Sequence, residues 1–392
     1  MSGGMILAAL ALPFAVVAIV LLIQRFRVPA FLAVMAVVVA YGIATQMTFQ
    51  SIGKAFGLGF VAALEQSGLL VMAGALVGRL LIKQPLPAPA AAIAGALAGL
   101  GGSASGALAL LQPAGRAVGL ALILLAAHAL VAPSPLAVAA ASVVHADIAT
   151  MAWIAVPVAI VAAAVGWALF ARGDGERGRV SLGWLAVAIP IALLIVQSFA
   201  QMPSEPLGKG GAREFYTGIS KPLVLAVLAI ALAILLSRRW QPLLLADTSW
   251  APLLLTVGAA GGFARVLDET GMSELLAEYM LDPRLGLAVP FLAAATVKTM
   301  QGNSLSAVLT ATGMVEPMLP ALGLDSPTGR ALAAAAAGAG SIAICHVNDP
   351  FFWIATHMAG ITPARGLRLI GLGSAVVALV ALGLLALLTL VL

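Results

Sequence analysis

Ten apolar runs, each close to the length that crosses a bilayer, recur along this chain. A helix needs about 20 predominantly apolar residues to cross roughly 30 Å of hydrocarbon. The runs occupy residues 5–23, 28–45, 66–82, 117–131, 150–170, 182–200, 219–237, 248–266, 328–345 and 366–391. Of the 392 residues, 62% are hydrophobic and 9% are charged, against about 25% charged in soluble domains. The pattern predicts an all-α polytopic membrane protein with about ten transmembrane helices.

The N-terminal apolar run and the single cysteine further limit the kind of membrane protein that this chain can be. The first run lacks a small-residue cleavage site and precedes Arg25, Arg27 and a second apolar run, so we interpret it as a retained helix, not a signal peptide. Cys345 lies in an apolar stretch, which excludes disulfides and cysteine metal sites. The net charge of +5 is spread over short loops and indicates no nucleic-acid partner. We predict no cofactor and no metal.

The basic residues predict the orientation of the chain. If the N-terminus lies outside the cytoplasm and the helices alternate, twelve of the 20 Lys and Arg residues fall on the cytoplasmic side. They are Arg25, Arg27, Arg79, Lys83, Arg116, Arg172, Arg177, Arg179, Arg238, Arg239, Arg365 and Arg368. Because cytoplasmic loops carry an excess of positive charge, we expect both termini on the outer face of a bacterial cytoplasmic membrane.

Two further stretches, 88–112 and 284–320, fit this topology only if each enters and leaves on one side. Each has an apolar arm, a polar Gly-rich tip and a second apolar arm, and arms of about 10–14 residues are too short to span. Both stretches follow three spans and precede two. Two halves of opposite orientation, broken at the same place, indicate an inverted-repeat secondary transporter; a channel does not require them.

We therefore predict two inverted repeats joined by a cytoplasmic linker. The first repeat, 1–171, holds three spans, the hairpin at 88–112, a broken helix at 117–148 and a span at 150–170. After the linker at 172–181, the second repeat, 182–392, holds three spans, the hairpin at 284–320, a broken helix at 328–358 and a span at 366–391.

The hairpin tips carry small and polar residues that suit an anion. Half-helix N-termini at the bilayer midplane offer a partial positive charge and unpaired N–H donors, which favour a carboxylate. The candidate substrate-binding residues are Gly102, Ser103 and Ser105 in the first tip, and Gly302, Asn303, Ser304 and Ser306 in the second. Close helix packing through small residues is the alternative.

Lys298 precedes the second tip within an apolar stretch. A lysine at this depth is costly unless it is paired or hydrated. It meets either a permanent carboxylate, for which Glu316 is the internal candidate, or the carboxylate of the substrate. Snorkelling to the outer face is the third possibility. We predict a substrate-binding role.

A proline-broken segment lies at 128–153 in the first half. Pro133 and Pro135 interrupt the apolar run, which leaves backbone carbonyls and Ser134 free to contact a ligand. The ionisable residues that flank the break are His128, His145 and Asp147. They form a candidate proton relay, although Asp147 also fits the cap of the next span.

The equivalent segment of the second half contains His346, Asn348, Asp349 and Pro350. Asp349 and Pro350 fit the cap and first turn of a half-helix. That leaves His346 and Asn348, which we predict to face the ligand. Both breaks are expected to meet the hairpin tips near the midplane.

Several stretches together resemble the gluconate permease (GntP) family of proton-coupled sugar-acid transporters. HVNDPFFW resembles the HVND-x-x-FW signature of that family, and QGNSLSAVLTATG resembles its QGSATVAMLTAAG. HALVAPSPLAVAAASVVHADI resembles its HGFLPPHPGPVAAAGLLGADI, and residues 21–60 resemble its N-terminal pair of helices. The likeness covers essentially the whole chain.

The resemblance implies a permease of the ion-transporter superfamily, in which a scaffold holds a homodimer and an elevator-like transport domain carries the hairpins. It implies transport of gluconate or a similar hydroxy-carboxylate, generally with protons. The residues at matching positions are His128, Asp147, Lys298, Asn303, Ser304, His346, Asn348 and Asp349. This chain departs from the family at the first tip, where SASGALAL replaces PVFFEVGF, and at the first break, where APSPLA replaces PPHPGP.

The sequence thus predicts a non-enzymatic symporter that imports a small hydroxylated organic anion with a proton. The proton-exchange candidates are His128, His145, Asp147, His346 and Asp349. A sodium-coupled carboxylate carrier is the alternative, because freed carbonyls near the breaks supply oxygen ligands for a hard cation. An intramembrane hydrolase with Ser103 or Ser105 as nucleophile and a neighbouring histidine, His128 or His145, as base is a remote alternative.

Overall fold

The computed structural model describes residues 3–81, 85–115, 117–171, 179–237, 248–271 and 281–391. Within these residues every regular element is a helix, which confirms the all-α prediction. In chain order the helices are α1 Gly3–Gln24, α2 Ala30–Ala44, α3 Phe49–Leu81, α4 Ala88–Gly99, α5 Ala104–Leu110, α6 Ala117–Leu130, α7 Pro135–Val143, α8 Ile148–Phe170, α9 Leu182–Ala200, α10 Gly211–Ile219, α11 Pro222–Ser237, α12 Ala251–Asp268, α13 Ala288–Gln301, α14 Ser304–Val315, α15 Pro327–Gly340, α16 Pro350–Met358 and α17 Pro363–Leu388.

In the described residues, six helices are long and apolar enough to cross a membrane, or seven if the bent pair α10 and α11 forms one span. The six are α3, α6 continued by α7, α8, α9, α12 and α17. Helix α2, with 15 residues, reaches only about 22 Å at 1.5 Å per residue. The chain is a multi-pass membrane protein, and the count of about ten spans stays a prediction.

Several of the residues used to predict the membrane orientation lie outside the part of the chain that the structure describes. Most of the linker predicted at 172–181 lies outside the described residues, as do six of the twelve basic residues. Those six are Lys83, Arg116, Arg172, Arg177, Arg238 and Arg239.

The chain breaks inside both segments that the sequence predicts as hairpins. Helix α4 ends at Gly99 and α5 begins at Ala104, whereas α13 ends at Gln301 and α14 begins at Ser304. The arms contain 12, 7, 14 and 12 residues, too few to cross a bilayer. The division into two inverted repeats stays a prediction.

The two halves pack in a reciprocal manner. Helix α4 lies on α6, and α13 lies on α15, so the first arm of each hairpin packs on the helix that follows it. A Cβ added at Gly99 would lie 2.6 Å from Leu124 O, which requires glycine at this helix contact. Helix α16 packs on α5, and α7 packs on α14. Each half-helix behind a break therefore contacts the hairpin of the other half.

Helix α3 is longer than its hydropathy predicts. The apolar run at 66–82 is its C-terminal part, but the helix begins at Phe49 after Thr48, whose hydroxyl accepts a hydrogen bond from Ser51 N–H at 3.1 Å. Gly59 lies directly against the Gly261 backbone of α12. Close contact between helix backbones stabilises this segment despite its lower apolarity, so the helix extends well before the apolar run at 66–82.

Candidate functional site

Both hairpin tips and both helix breaks meet at one cavity of about 300 Å³. The sequence-predicted residues that line it are Gly102, Ser103, Ser105, His128, Lys298, Gly302, Asn303, Ser304, Ser306 and Asp349. They come from both halves of the chain, so the fold brings the polar breaks of an apolar protein to one place. The volume lies at the lower end of the range for small-molecule sites, about 300–1,000 Å³.

The first tip places the N-terminus of α5 on the cavity. The Ser103 hydroxyl caps this helix by accepting a hydrogen bond from Gly106 N–H at 3.4 Å. The Gly102 N–H donates to Ser198 Oγ of α9 at 3.2 Å, which fixes the tip against the second half. Ser105 lies in the first turn of α5 and lines the cavity.

The second tip places the N-terminus of α14 on the same cavity. Gly302 has a left-handed φ of 67°, and a Cβ there would lie 2.5 Å from Asn348 O, so the position requires glycine. The Asn303 side chain caps α14 because its Oδ1 accepts hydrogen bonds from Leu305 N–H at 2.9 Å and Ser306 N–H at 3.2 Å.

The first break presents His128 to the cavity. Its Nδ1 bonds to Gly99 O at 2.9 Å, and a carbonyl can only accept, so Nδ1 carries the proton. A neutral His128 in this tautomer has Nε2 as its acceptor, and the imidazole lines the cavity. The side chain can therefore accept a hydrogen bond from a ligand hydroxyl.

Ser134 lies outside the cavity lining, contrary to the prediction that it contacts a ligand. Its hydroxyl donates to His128 O at 2.6 Å and accepts a hydrogen bond from Ala137 N–H at 3.1 Å. The residue is fully buried and caps α7. Pro135 and Leu136 line the cavity instead. The Ser134 hydroxyl uses both its donor and an acceptor position within the protein, so Ser134 stabilises the helix break.

Lys298 and Asp349 form a buried ion pair at the second tip. Lys298 Nζ donates to Asp349 Oδ2 at 2.6 Å and to Gly302 O at 2.9 Å, and the two side chains are 2% and 5% exposed. Asp349 Oδ1 accepts a hydrogen bond from Phe351 N–H at 2.8 Å, so one carboxylate also caps α16. The internal partner of Lys298 is therefore Asp349, and Glu316 was the wrong candidate.

The side chains of His346 and Asn348 donate hydrogen bonds to backbone carbonyls and do not line the cavity. His346 Nε2 donates to Thr299 O at 2.7 Å, while Asn348 Nδ2 donates to Thr299 O at 3.1 Å and to Met300 O at 3.0 Å. Both residues are buried, and neither belongs to the lining, contrary to the prediction that they face the ligand. They fasten the second break to the last turn of α13, the helix that carries Lys298.

Arg265 is a lining residue that the sequence reasoning missed. Its guanidinium donates to Asp268 Oδ2 at 2.7 Å and to Glu269 Oε1 at 2.8 Å. Asp268 Oδ1 in turn accepts a hydrogen bond from Gln301 Nε2 at 2.6 Å, which connects α12 to the second hairpin. The available signal was an arginine near the end of an apolar run, with carboxylates three and four residues later.

The charges of the side chains that line the cavity sum to zero. In the described part of the chain the lining holds the cations Arg265 and Lys298 and the carboxylates Asp268 and Asp349, and each cation is paired with one of these carboxylates. Helices α7, α14 and α16 begin at the cavity and contain 9, 12 and 9 residues. Each N-terminus carries about half a positive charge, so the helix ends make the site attractive to an anion.

His145 and Asp147, predicted as members of a proton relay with His128, lie at the far end of α7, exposed and outside the lining. Asp147 Oδ2 accepts hydrogen bonds from the Thr150 N–H and hydroxyl, both at 2.7 Å, and so caps α8. These hydrogen bonds hold the pKa of the Asp147 carboxyl below its ordinary value. The group stays ionised at neutral pH, which makes it a poor proton carrier.

The serine and histidine residues of the hydrolase alternative are not joined by hydrogen bonds in the described part of the chain. Among the described residues, no hydrogen bond joins His128 to Ser103 or Ser105, although a nucleophile and its base need that contact. The described residues also contain no group of three His, Cys, Asp or Glu side chains placed to hold a metal ion.

Comparison with known proteins adds an independent line of evidence. The sequence matches the family described as GntP family permease over residues 5–110 and 103–391. It is 30% identical over 206 residues to the low-affinity gluconate transporter of Escherichia coli (strain K12), covering 50% of this chain and 46% of that protein. In that match the chain therefore spans about half the length of its curated relative.

Two further relatives differ in their named substrates. A gluconate permease of Pseudomonas aeruginosa is 25% identical over 400 residues, covering 86% of this chain and 88% of that protein. The D-serine transporter DsdX of Escherichia coli O6:H1 is 27% identical over 277 residues, covering 63% of this chain and 61% of that protein.

Proposed function

The chain belongs to the GntP permease family, and from that premise we propose that it is a secondary transporter that imports a small hydroxylated organic anion together with a proton. Gluconate or a related sugar acid is the substrate class we propose. Relatives named gluconate transporter or gluconate permease support this class.

One observation carries the proposal: the two hairpin tips and the two helix breaks converge on a single cavity. Irregular backbone at membrane depth is tolerated only inside protein or beside water, and discontinuous helices form the substrate sites of secondary transporters. A cavity of about 300 Å³ suits a small molecule and not a polymer.

In this proposal the helix N-termini hold the substrate carboxylate. The paired side chains of the lining contribute no net charge, so the starts of α7, α14 and α16 supply the positive potential. Asn303 and Ser103 cap α14 and α5, whose first turns lie at the cavity. His128 Nε2 accepts a hydrogen bond from a substrate hydroxyl, and the hydroxyls of Ser105, Ser304 and Ser306 bind others.

Proton coupling in this proposal rests on the Lys298–Asp349 pair. A proton that binds Asp349 removes the charge that holds the Lys298 ammonium, which is then available to the substrate carboxylate. One proton and one monoanion therefore bind together. His128 is a second candidate for proton exchange because it lines the same cavity.

The D-serine transporters among the relatives raise a second substrate class. An amino-acid ammonium needs a free carboxylate or several acceptors in the site. Both carboxylates of the described lining already have cationic partners, Asp268 with Arg265 and Asp349 with Lys298. This pairing favours a substrate that carries hydroxyls and one carboxylate over one that also carries an ammonium.

Orientation and assembly are part of the same proposal. We propose a bacterial cytoplasmic membrane location, both termini on the outer face, and a homodimer. Arg79 donates to Ser249 Oγ at 3.0 Å, and Arg330 donates to Val144 O at 2.9 Å. Each contact joins residues that the predicted topology assigns to one face, which supports hairpins that enter and leave on the same side.

Counterflow in proteoliposomes tests the function. Vesicles loaded with unlabelled sugar acids and hydroxy acids are expected to take up labelled gluconate or a chemically similar sugar acid, whereas loading with D-serine gives no exchange. If no hydroxylated acid exchanges, the substrate class is wrong. If exchange requires sodium and does not respond to a pH gradient, the coupling assignment is wrong.

A further inference from the structure

The Lys298 ammonium lies where a bound metal cation would find ligands. Its nitrogen is 2.9 Å from the backbone carbonyl of Gly302, at the second tip, and 2.6 Å from Asp349 Oδ2, at the second break. Carbonyl and carboxylate oxygens are the ligands that hard cations take in proteins. We propose that this is a cation site whose occupant is the chain's own ammonium, and that truncation of Lys298 opens it to sodium.

A second observation points to the same place. Asn348 Oδ1 is buried and has no hydrogen-bond partner among the described residues, while Nδ2 of the same amide is fixed by the carbonyls of Thr299 and Met300. The Asn348 Cγ atom would lie 3.0 Å from a Cβ added at Gly302. The Asn348 amide therefore lies beside the glycine whose carbonyl accepts the ammonium, and its unsatisfied oxygen is the candidate for a third cation ligand.

The buried negative charge of Asp349 requires a positively charged partner. The residue is 4% exposed, and a buried carboxylate without a positive partner is strongly unfavourable. Because Asp349 also caps α16, it cannot move away without releasing that helix. Once Lys298 is truncated, either a proton or a metal ion must compensate the carboxylate. The neighbouring carbonyl and amide oxygens favour a metal ion, and the adjoining cavity has room for waters that complete its shell.

The consequence for transport rests on the proposed function. A tethered ammonium in a cation site takes the place of a coupling metal ion, so the wild-type chain needs no sodium. The cation site itself does not depend on transport, since it follows from the contacts of Lys298, Asn348 and Asp349.

The test compares three purified variants with the wild-type chain in detergent. Lys298→Ala empties the site and keeps the carboxylate. Lys298→Met fills the same space with an apolar side chain, and the double variant Lys298→Ala with Asp349→Asn removes the charge that attracts the ion. The thermal midpoint of each is measured while sodium chloride replaces choline chloride at constant ionic strength.

The midpoint of Lys298→Ala is expected to rise with the logarithm of sodium concentration once the site begins to fill. The wild type, Lys298→Met and the double variant are expected to show no sodium-specific change. Recovery of Lys298→Ala from membranes in sodium but not in choline supports the proposal equally.

A folded Lys298→Ala protein with no sodium response overturns the proposal. So does failure to recover Lys298→Ala in either salt when the double variant is recovered, because a cation then does not satisfy the lone carboxylate. A chain that transports nothing still shows the sodium response. Failure of this proposal and failure of the proposed function are therefore distinguishable.

Discussion

Asp349 has three hydrogen-bond donors on its two carboxylate oxygens. Oδ1 accepts a hydrogen bond from the Phe351 N–H that starts α16, and Oδ2 accepts hydrogen bonds from the Lys298 ammonium at 2.6 Å and from the Cys345 thiol at 3.2 Å. A proton on Oδ2 releases Lys298 without breaking the helix cap. The residue can therefore change its charge during a transport cycle while the backbone around it keeps its shape.

Replacement of Asp349 by Asn mimics the protonated state. Asn remains a good cap for α16, and it no longer holds Lys298 by charge. We expect the variant to exchange labelled substrate for unlabelled substrate across the membrane, because exchange needs no net proton movement. We expect it to lose accumulation driven by a pH gradient, measured in the same proteoliposomes.

Asp147→Asn is the matched control for Asp349→Asn. Asp147 is exposed, caps α8 and keeps its charge at neutral pH because the Thr150 hydrogen bonds lower its pKa. Its variant is expected to accumulate substrate with an unchanged pH profile. Accumulation by Asp349→Asn that still follows the pH gradient would rule out Asp349 as the coupling carboxylate.

Asn348→Ala tests whether the second break is architectural. The substitution leaves Met300 O without the Asn348 donor in a fully buried place, and an unsatisfied buried acceptor costs about 1–3 kcal/mol. We expect a lower thermal midpoint in detergent together with weaker transport.

Ser105→Ala provides the comparison, because Ser105 lines the cavity. This variant is expected to raise the substrate concentration at half-maximal uptake and to leave the thermal midpoint unchanged. An Asn348→Ala protein with wild-type stability and no uptake would instead mean that Asn348 contacts the substrate.

The polar residues divide into those the sequence could assign and those it could not. Gly302 and Asn303 were identifiable because a glycine followed by a capping residue marks a local break. His346 and Asn348 were predicted to face the ligand, but they bond to backbone carbonyls, because a polar side chain in an apolar chain can meet either partner. Only the tertiary position of Thr299, far away in sequence, decides between them.

At the scale of elements, the site is formed where several helices begin at the cavity. The start of α14, at the second tip, is the most constrained of these helix starts, since Gly302 combines a positive φ with close contact to Asn348. Gly302→Ala is expected to lower the thermal midpoint and to abolish transport. The left-handed backbone alone costs an alanine about 1–2 kcal/mol, and the displaced Asn348 adds to that loss.

Gly313→Ala supplies the control within the same hairpin. Gly313 lies inside α14, and a Cβ there meets nothing within 4 Å. Alanine is expected to be neutral or to stabilise α14 by about 0.5–1 kcal/mol. Equal losses in both variants would show that the second hairpin does not depend on the tip geometry described here.

Proline and glycine explain why most elements were predictable. Helices α7, α15 and α16 begin at proline, and both tips contain glycine, so their boundaries follow from local chemistry. Helix α3 extends before its apolar run because its first half is held by the contact of Gly59 with Gly261 of α12, which hydropathy does not record. The pairing of Arg265 with Asp268 and Glu269 is local in sequence, but its place on the cavity is not.

At the scale of the whole molecule, the reciprocal packing of the halves brings the four breaks together. Helix α16 of one half contacts α5 of the other, and α7 contacts α14. This arrangement joins elements that are far apart in sequence, and no single segment of the sequence predicts it. We propose that the substrate lies where these elements converge.

A density map of the chain in lipid nanodiscs, recorded with the sugar acid that counterflow identifies, tests this claim most directly. We predict ligand density between Ser105 and Asn303, with its carboxylate about 3 Å from backbone N–H groups at a helix start and its hydroxyls towards His128. Ligand density outside this cavity, for example in the apolar groove beside Trp353 and Ile361, with the tips unoccupied, would contradict it.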